Sequence, residues 1–180
     1  MIKLYHKIRK KSTLYAVLMH CVDFFSALVN KGFRDFEKIY GFLLTFTPAA
    51  CKTLAEFFRD TKTSPDDYDA IFTGDLGFVG SELLKELMKK ECGISLDKNY
   101  FDCGLMIYDR ENQDVHSGGS GCGCSASVLC SHILNSMKNG KYSNILFMAT
   151  GALMSPVSSK EGESIPGIAH LVNIRRGERK

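Results

Sequence analysis

The stretch from Asp114 to Ala152, DVHSGGSGCGCSASVLCSHILNSMKNGKYSNILFMATGA, constrains this chain more than any other. It reads in three parts. His116 to Gly121 is rich in Gly and Ser, so its backbone is free to take positive φ and to approach a neighbour closely. Small residues continue through CGCSAS into a run with Val128, Leu129, Ile133, Leu134 and Met137 at helical spacing. Gly140 stands where a glycine would end that helix. After a short turn, Asn144 to Ala149 is an apolar run too short for a helix. It reads as a buried strand stopping at Thr150-Gly151. A glycine-rich turn, a helix and a strand in that order make an α/β layer, and such layers place ligands at the loop before the helix.

The 180 residues suffice for one domain with a core. Net charge is +3, unevenly placed: Met1 to Lys11 holds five Lys/Arg and no acid, leaving 18 basic against 20 acidic residues elsewhere. Beyond that tip no basic residues interleave with aromatics, which excludes a nucleic-acid interface. The seven cysteines, Cys21, Cys51, Cys92, Cys103, Cys122, Cys124 and Cys130, show no repeating spacing and several lie in apolar runs. That usage points to a reducing compartment without a disulfide framework.

Residues 1–40 start basic and turn apolar in STLYAVLMHCVDFFSALV. His20 and Asp23 interrupt the apolar stretch, no cleavage site follows, and the segment is too short and polar for a membrane span. Two readings stand: an amphipathic helix on a partner or anionic membrane surface, or a basic helix end capping the domain.

From Thr47 the pattern is regular. Pro48 suits the first turn of a helix, with Ala50, Leu54, Phe57 and Phe58 on its apolar face through about Arg59. YDAIFTGD reads as a strand and polar loop. Gly80 and Ser81 open a second helix, with Leu83, Leu84, Leu87 and Met88 inward, and Cys92-Gly93 closes it. NYFDCGLMIYDRENQD carries mixed signals. The tail has a long polar loop and an alternating strand from about Gly167 to Ile174. The class is α/β.

Three readings compete for the central turn. Small side chains there let loop and helix pack tightly. Cys122 or Cys124 near a helix N-terminus would have a lowered thiol pKa and could act as nucleophile, with His116 as the local base. Successive Gly and Ser amides form a nest for carboxylates or phosphates. No GKS or GKT follows, which excludes a nucleotide P-loop. His116, Cys122, Cys124, Cys130 and His132 fit no standard zinc spacing, so no metal is expected. Asp75 in TGDLG is expected to cap the helix after it rather than hold a ligand.

SPDDYDAIFTGDLGFVGSELL, KNYFDCGLMIYDRENQDVHSGGSGCGCSAS, ILFMATGALMSP and GESIPGIAHLV together resemble the C-terminal half of the stage V sporulation protein AD family, from about Thr47 to Ile174. The resemblance implies a thiolase-like fold with helices on a mostly parallel or mixed sheet. It divides the chain into residues 1–40, without recognisable likeness, and a half-domain over 41–180. It implies a role in dipicolinic acid uptake into the developing spore, with or without calcium, beside other proteins of an inner-membrane assembly. The place would be the forespore cytoplasm, peripheral to that membrane. A chain truncated in this way would leave sheet edge and apolar surface uncovered, and a homodimer is one expectation.

Catalytic members of the wider thiolase fold carry a Gly-His-Pro turn. Gly119-Ser120-Gly121 occupies the corresponding place, so Ser120 replaces the histidine. Serine cannot serve as the base near neutral pH. The resemblance therefore implies binding, with no catalytic residue and no cofactor, at His116, Gly118, Gly119, Ser120, Gly121, Cys122, Gly123 and Cys124. An acyltransferase using a local cysteine with His116, or an inactive remnant, are the alternatives. The helix from about Gly121 is expected to be buried.

Overall fold

Alternation in the two central strands sets the layers. The computed structural model describes residues 3–5, 37–152 and 167–177, and side chains from Phe46 onward. Strands β1 (Lys3–Tyr5), β2 (Ala70–Thr73), β3 (Tyr100–Asp102), β4 (Asn144–Ala152) and β5 (Gly167–Arg175) form one sheet in the order β1-β5-β4-β2-β3. β2 runs parallel to β3 and β4, while β5 is antiparallel to β4 and β1. Successive side chains of a strand face opposite ways. Ile71, Leu146 and Met148 accordingly enter one apolar cluster, and Ala70, Phe72, Ile145 and Phe147 enter another.

The first cluster is covered by α1 (Glu37–Thr61) and α2 (Gly77–Cys92). Phe46, Ala50, Leu54, Phe57 and Phe58 of α1 are buried, as the spacing predicts. The helix does not start at Thr47, however. It begins ten residues earlier, at Glu37, and Pro48 lies inside it. Proline lacks the amide that would bond to the fourth preceding carbonyl, so it costs a helix interior one hydrogen bond. The buried aromatic face outweighs that local loss. In α2, Leu83, Leu84, Leu87 and Met88 are buried, and Gly93 closes the helix in the left-handed region at φ 66°.

The second cluster is covered by a helical layer in three pieces: α4 (Cys124–Val128), a π-helical turn (Leu129–Ile133) and α5 (Leu134–Lys138). A short α3 (Cys103–Met106) follows β3 directly. The π turn explains the order of buried residues. Cys124, Val128, Ile133 and Met137 face the sheet at steps of four, five and four. A π turn accommodates the step of five that a regular helix would rotate off the face. Leu134, at helical spacing in the sequence, is 41% exposed instead. The expectation of a buried helix therefore fails on one side: Cys122, Ala126, Ser127, Cys130 and Ser131 face solvent. Nothing among the described residues packs over that side.

The sheet edge beside β5 is covered by backbone from the N-terminal segment, with Leu4 opposite Val172. β4 runs to Ala152, three residues beyond the strand expected from sequence, because β5 pairs with it along its full length. Amphipathic or capping readings for residues 6–36, and the polar loop over 153–166, lie outside the described residues.

Candidate functional site

The C-terminal ends of the parallel strands β2, β3 and β4 converge on the glycine-rich turn, and two carboxylates organise them. Asp102, at the end of β3, is 1% exposed. Its Oδ2 accepts hydrogen bonds from the Thr73 hydroxyl at 2.6 Å and the Leu76 amide at 3.0 Å, and its Oδ1 accepts from the Gly77 amide at 2.9 Å. Orphan amides of a helix start need such acceptors. Asp102 thus caps α2 from a neighbouring strand. Burial pushes its pKa up; the hydrogen bonds from Thr73, Gly77 and Leu76 oppose this, and the charge of Asp75 adds to it.

Asp75 does something other than cap its own helix, which corrects the expectation from TGDLG. Its Oδ2 accepts from the Ser120 hydroxyl at 2.9 Å and the Gly121 amide at 3.0 Å, and its Oδ1 accepts from the Thr150 hydroxyl at 3.1 Å. One side chain therefore ties the end of β4 and the glycine-rich turn to the loop after β2. The turn is also clasped from α3. The Gly119 amide donates to the Gly104 carbonyl at 2.6 Å, and Gly118, at φ 105°, would bring a Cβ within 2.5 Å of that same oxygen. A Cβ on Gly119 would overlap Ile107 and crowd the Tyr108 ring. Only glycine lets these segments approach so closely.

Above the turn lies an open cavity of about 320 Å³, lined by Gly119, Ser120, Gly121, Cys122, Gly123, Cys124, Ser127, Ile107 and Tyr108. Six of the eight residues singled out from sequence therefore meet in one wall. The structure places Gly118 behind it, with its amide donating to the Val115 carbonyl at 2.8 Å. His116 also stands outside the lining. Its backbone is left-handed at φ 44°, and its Nε2 is 3.6 Å from Asp114 Oδ1 in an almost fully exposed pair. Ile107 and Tyr108, the apolar wall, were not legible as site residues. Nor were Gly104, Asp102 and Thr150, which hold the turn from distant segments.

The nucleophile reading loses its chemical basis at Cys124. The Cys124 thiol is buried and its pKa is raised, first by burial and then by the charges of Asp75 and Asp102. Cys103 behind it is pushed up to about 12, chiefly by burial, with the Asp102 charge next. Thiolate character is what makes a cysteine nucleophilic, and these two lack it. Cys122 is exposed in the cavity wall. The nest reading is narrowed as well. Amides of Gly118, Gly119, Gly121 and Cys124 are bonded within the protein, whereas those of Ser120, Cys122 and Gly123 meet no protein acceptor among the described residues. No three His, Cys, Asp or Glu side chains among the described residues gather as metal ligands.

Comparison with known proteins agrees with the sequence resemblance. The family model described as stage V sporulation protein AD matches residues 29–175. Stage V sporulation protein AD of Bacillus subtilis (strain 168) is 45% identical over 129 residues, which cover 72% of this chain and 38% of that protein. The chain thus spans well under half the length of the relative it matches. Among solved structures, 3-oxoacyl-(acyl-carrier-protein) synthase III from Aquifex aeolicus VF5 aligns with a TM-score of 0.40 and 18% identity, over 76% of this chain and 40% of that one. With a family match across most of its length and 45% identity to a curated member, this chain belongs to the stage V sporulation protein AD family.

Proposed function

We propose that this chain is a non-catalytic sporulation protein that binds dipicolinate, free or as its calcium chelate, in the cavity over Gly119–Cys124. Its work would be done beside other proteins of the spore's inner-membrane uptake assembly, on the forespore side. The sporulation role follows from family membership. The observation that supports the ligand is the cavity itself. Ile107 and Tyr108 offer an apolar wall to a flat aromatic ring, and the turn that completes the lining carries three amides with no protein acceptor among the described residues. Sites of this kind combine apolar walls with a few placed polar groups. A peripheral position is compatible with the helices, since none among the described residues is long and apolar enough to cross a membrane.

Binding is favoured over acyl transfer because burial disfavours the thiolates of Cys124 and Cys103, and His116, the base expected from sequence, stands outside the cavity lining. Ser120 in turn donates its hydroxyl hydrogen bond to Asp75. Calorimetric titration of the purified chain with dipicolinate, with and without calcium, tests the reading. Tyr108→Ala removes the aromatic wall at a half-exposed position, so loss of heat in that variant with an unchanged fold supports it. Release of CoA from an acyl-CoA, or an acylated cysteine by mass spectrometry, would replace it with the enzyme reading.

A further inference from the structure

We propose that Cys51 and Cys92 are a redox-sensitive pair that closes, on meeting an oxidising small-molecule disulfide, to a disulfide bracing α1 against α2. The pair belongs to the apolar cluster under those two helices, not to the cavity, and the proposal is independent of the ligand reading. Cys51 lies inside α1 and is buried; Cys92 is the last residue of α2 and half-buried. Neither is in a disulfide. Two contacts set their placement. The Cys51 thiol donates to Met88 Sδ at 3.6 Å, and Met88 stands one turn before Cys92 on the same face of α2. Cys92 then shares a side-chain hydrogen bond with Cys51 and packs on the same cluster.

The end of α2 is fixed where this contact needs it. The Gly93 amide donates to the Lys89 carbonyl at 3.2 Å, and the Ile94 amide donates to the Met88 carbonyl at 3.0 Å. That is the helix ending which a left-handed glycine permits. Two sulfurs already in hydrogen-bond contact need only close to about 2.0 Å to form a bond. Exchange begins at Cys92, the more accessible thiol. Its thiolate attacks one sulfur of the small disulfide, giving a mixed disulfide and one released thiolate. The Cys51 thiolate then attacks Cys92 Sγ and releases the second. Two protein thiols lose two electrons, the small disulfide is reduced to two thiols, and the cysteine protons end on those leaving groups. Burial pushes the Cys92 thiol up, the hydrogen bond with Cys51 opposes this, and the Glu91 charge adds to it. Its thiolate is a minor form, so the exchange is slow. The bridge would close a loop of about 40 residues holding β2 and α2, which restricts the unfolded chain. Because Thr53 of α1 donates to the Ala169 carbonyl of β5 at 3.2 Å, both helices and the sheet would be braced together.

Oxidised glutathione is the probe. The full chain is incubated with it near pH 8, alkylated, digested without reductant and mapped by mass spectrometry, with thermal melts before and after. A linked Cys51–Cys92 peptide pair and a Tm raised by at least about 4 °C are expected, both reversed by dithiothreitol. Cys92→Ser should abolish the linked pair and the rise. The double variant Cys122→Ser/Cys130→Ser, which removes two exposed thiols, should keep both. Absence of the linked pair from the native chain, with or without glutathione attached at Cys122 and Cys130, overturns the proposal. A linked pair that leaves the melt unchanged or lowers it overturns the bracing.

Discussion

Thr73 and Asp102 face each other across the β2–β3 ladder and share a hydrogen bond of 2.6 Å. Thr73 has one hydroxyl proton, and it goes to Asp102. The Tyr100 hydroxyl, 2.8 Å from Thr73 Oγ1, therefore donates to Thr73. The chain Tyr100–Thr73–Asp102 ends on the first amides of α2, so strand pairing and helix start are locked by one polar string.

Replacing Asp102 by Ala should cost about 2–4 kcal/mol of folding stability, because two buried amides and the Thr73 hydroxyl lose their acceptor. Urea denaturation measures it. A loss under about 0.5 kcal/mol would mean that the cap is dispensable.

The same residue gives a pH dependence with a defined sign. Burial raises Asp102 above its ordinary value of 3.8, so the folded chain holds this proton more tightly than the unfolded chain. The stability so gained is complete below pH 3.8 and is lost as pH rises through the higher folded value. Asp102→Asn cannot titrate. The stability of wild type minus Asn variant is expected to fall with pH over that window and to level off above it. A difference that climbs with pH would show that the hydrogen bonds outweigh burial.

The sequence carried the layers well and the site only in part. Ala50, Leu54, Phe57, Phe58, Leu83, Leu84, Leu87 and Met88 are buried as their spacing requires, since amphipathicity is a local signal. The turn Gly119–Cys124 was legible for the same reason: its glycines and serines are contiguous. What holds that turn was not. Asp75 is 45 residues from Ser120 and 75 from Thr150, and Asp102 caps a helix that starts 25 residues earlier. Such bonds depend on strand order, which no local pattern encodes. The π turn misled in a different way. Leu129 and Leu134 fit a regular helix, and only the five-residue step from Val128 to Ile133 hints that the register shifts.

Gly104 should tolerate no side chain. A Cβ there would overlap the Gly119 carbonyl oxygen and approach Asp102 Oδ1 at 3.0 Å. The first is backbone whose own amide is tied to Gly104, and the second accepts from the Gly77 amide, so the strain cannot be relieved by a rotamer change. Gly104→Ala is expected to destabilise by about 1–3 kcal/mol and to loosen the turn over which the cavity lies. Thermal melting together with dipicolinate titration checks both effects; an unshifted melt would show that α3 can move away from the turn.

Thiol reactivity should separate the cysteines by position. Cys122 and Cys130 are exposed, while Cys103 and Cys124 are buried with raised pKa values. Under native conditions near pH 8, a maleimide should modify Cys122 and Cys130 at least about tenfold faster than Cys103 and Cys124. Peptide mass spectrometry over a time course reads the order. Early modification of Cys124 would show a thiolate there and reopen the nucleophile reading.

The uncovered side of the α4–α5 layer leads to the last prediction. Ala126, Ser127, Cys130 and Ser131 face outward with Leu134, and Ile107 and Tyr108 are 37% and 45% exposed beside the cavity. Nothing among the described residues packs over this side. Small residues let another backbone come close, and a leucine among them adds apolar area worth about 1.5–3 kcal/mol when buried. Self-association through this side is expected, visible as a sedimentation coefficient that rises with concentration. Leu134→Glu places a charge in the middle of the contact and should weaken association about tenfold or more without unfolding the chain, because Leu134 is 41% exposed and is a member of neither apolar cluster. A wild-type chain that stays monomeric at high concentration, or a Leu134→Glu variant that associates as before, would show that this side does not mediate the contact.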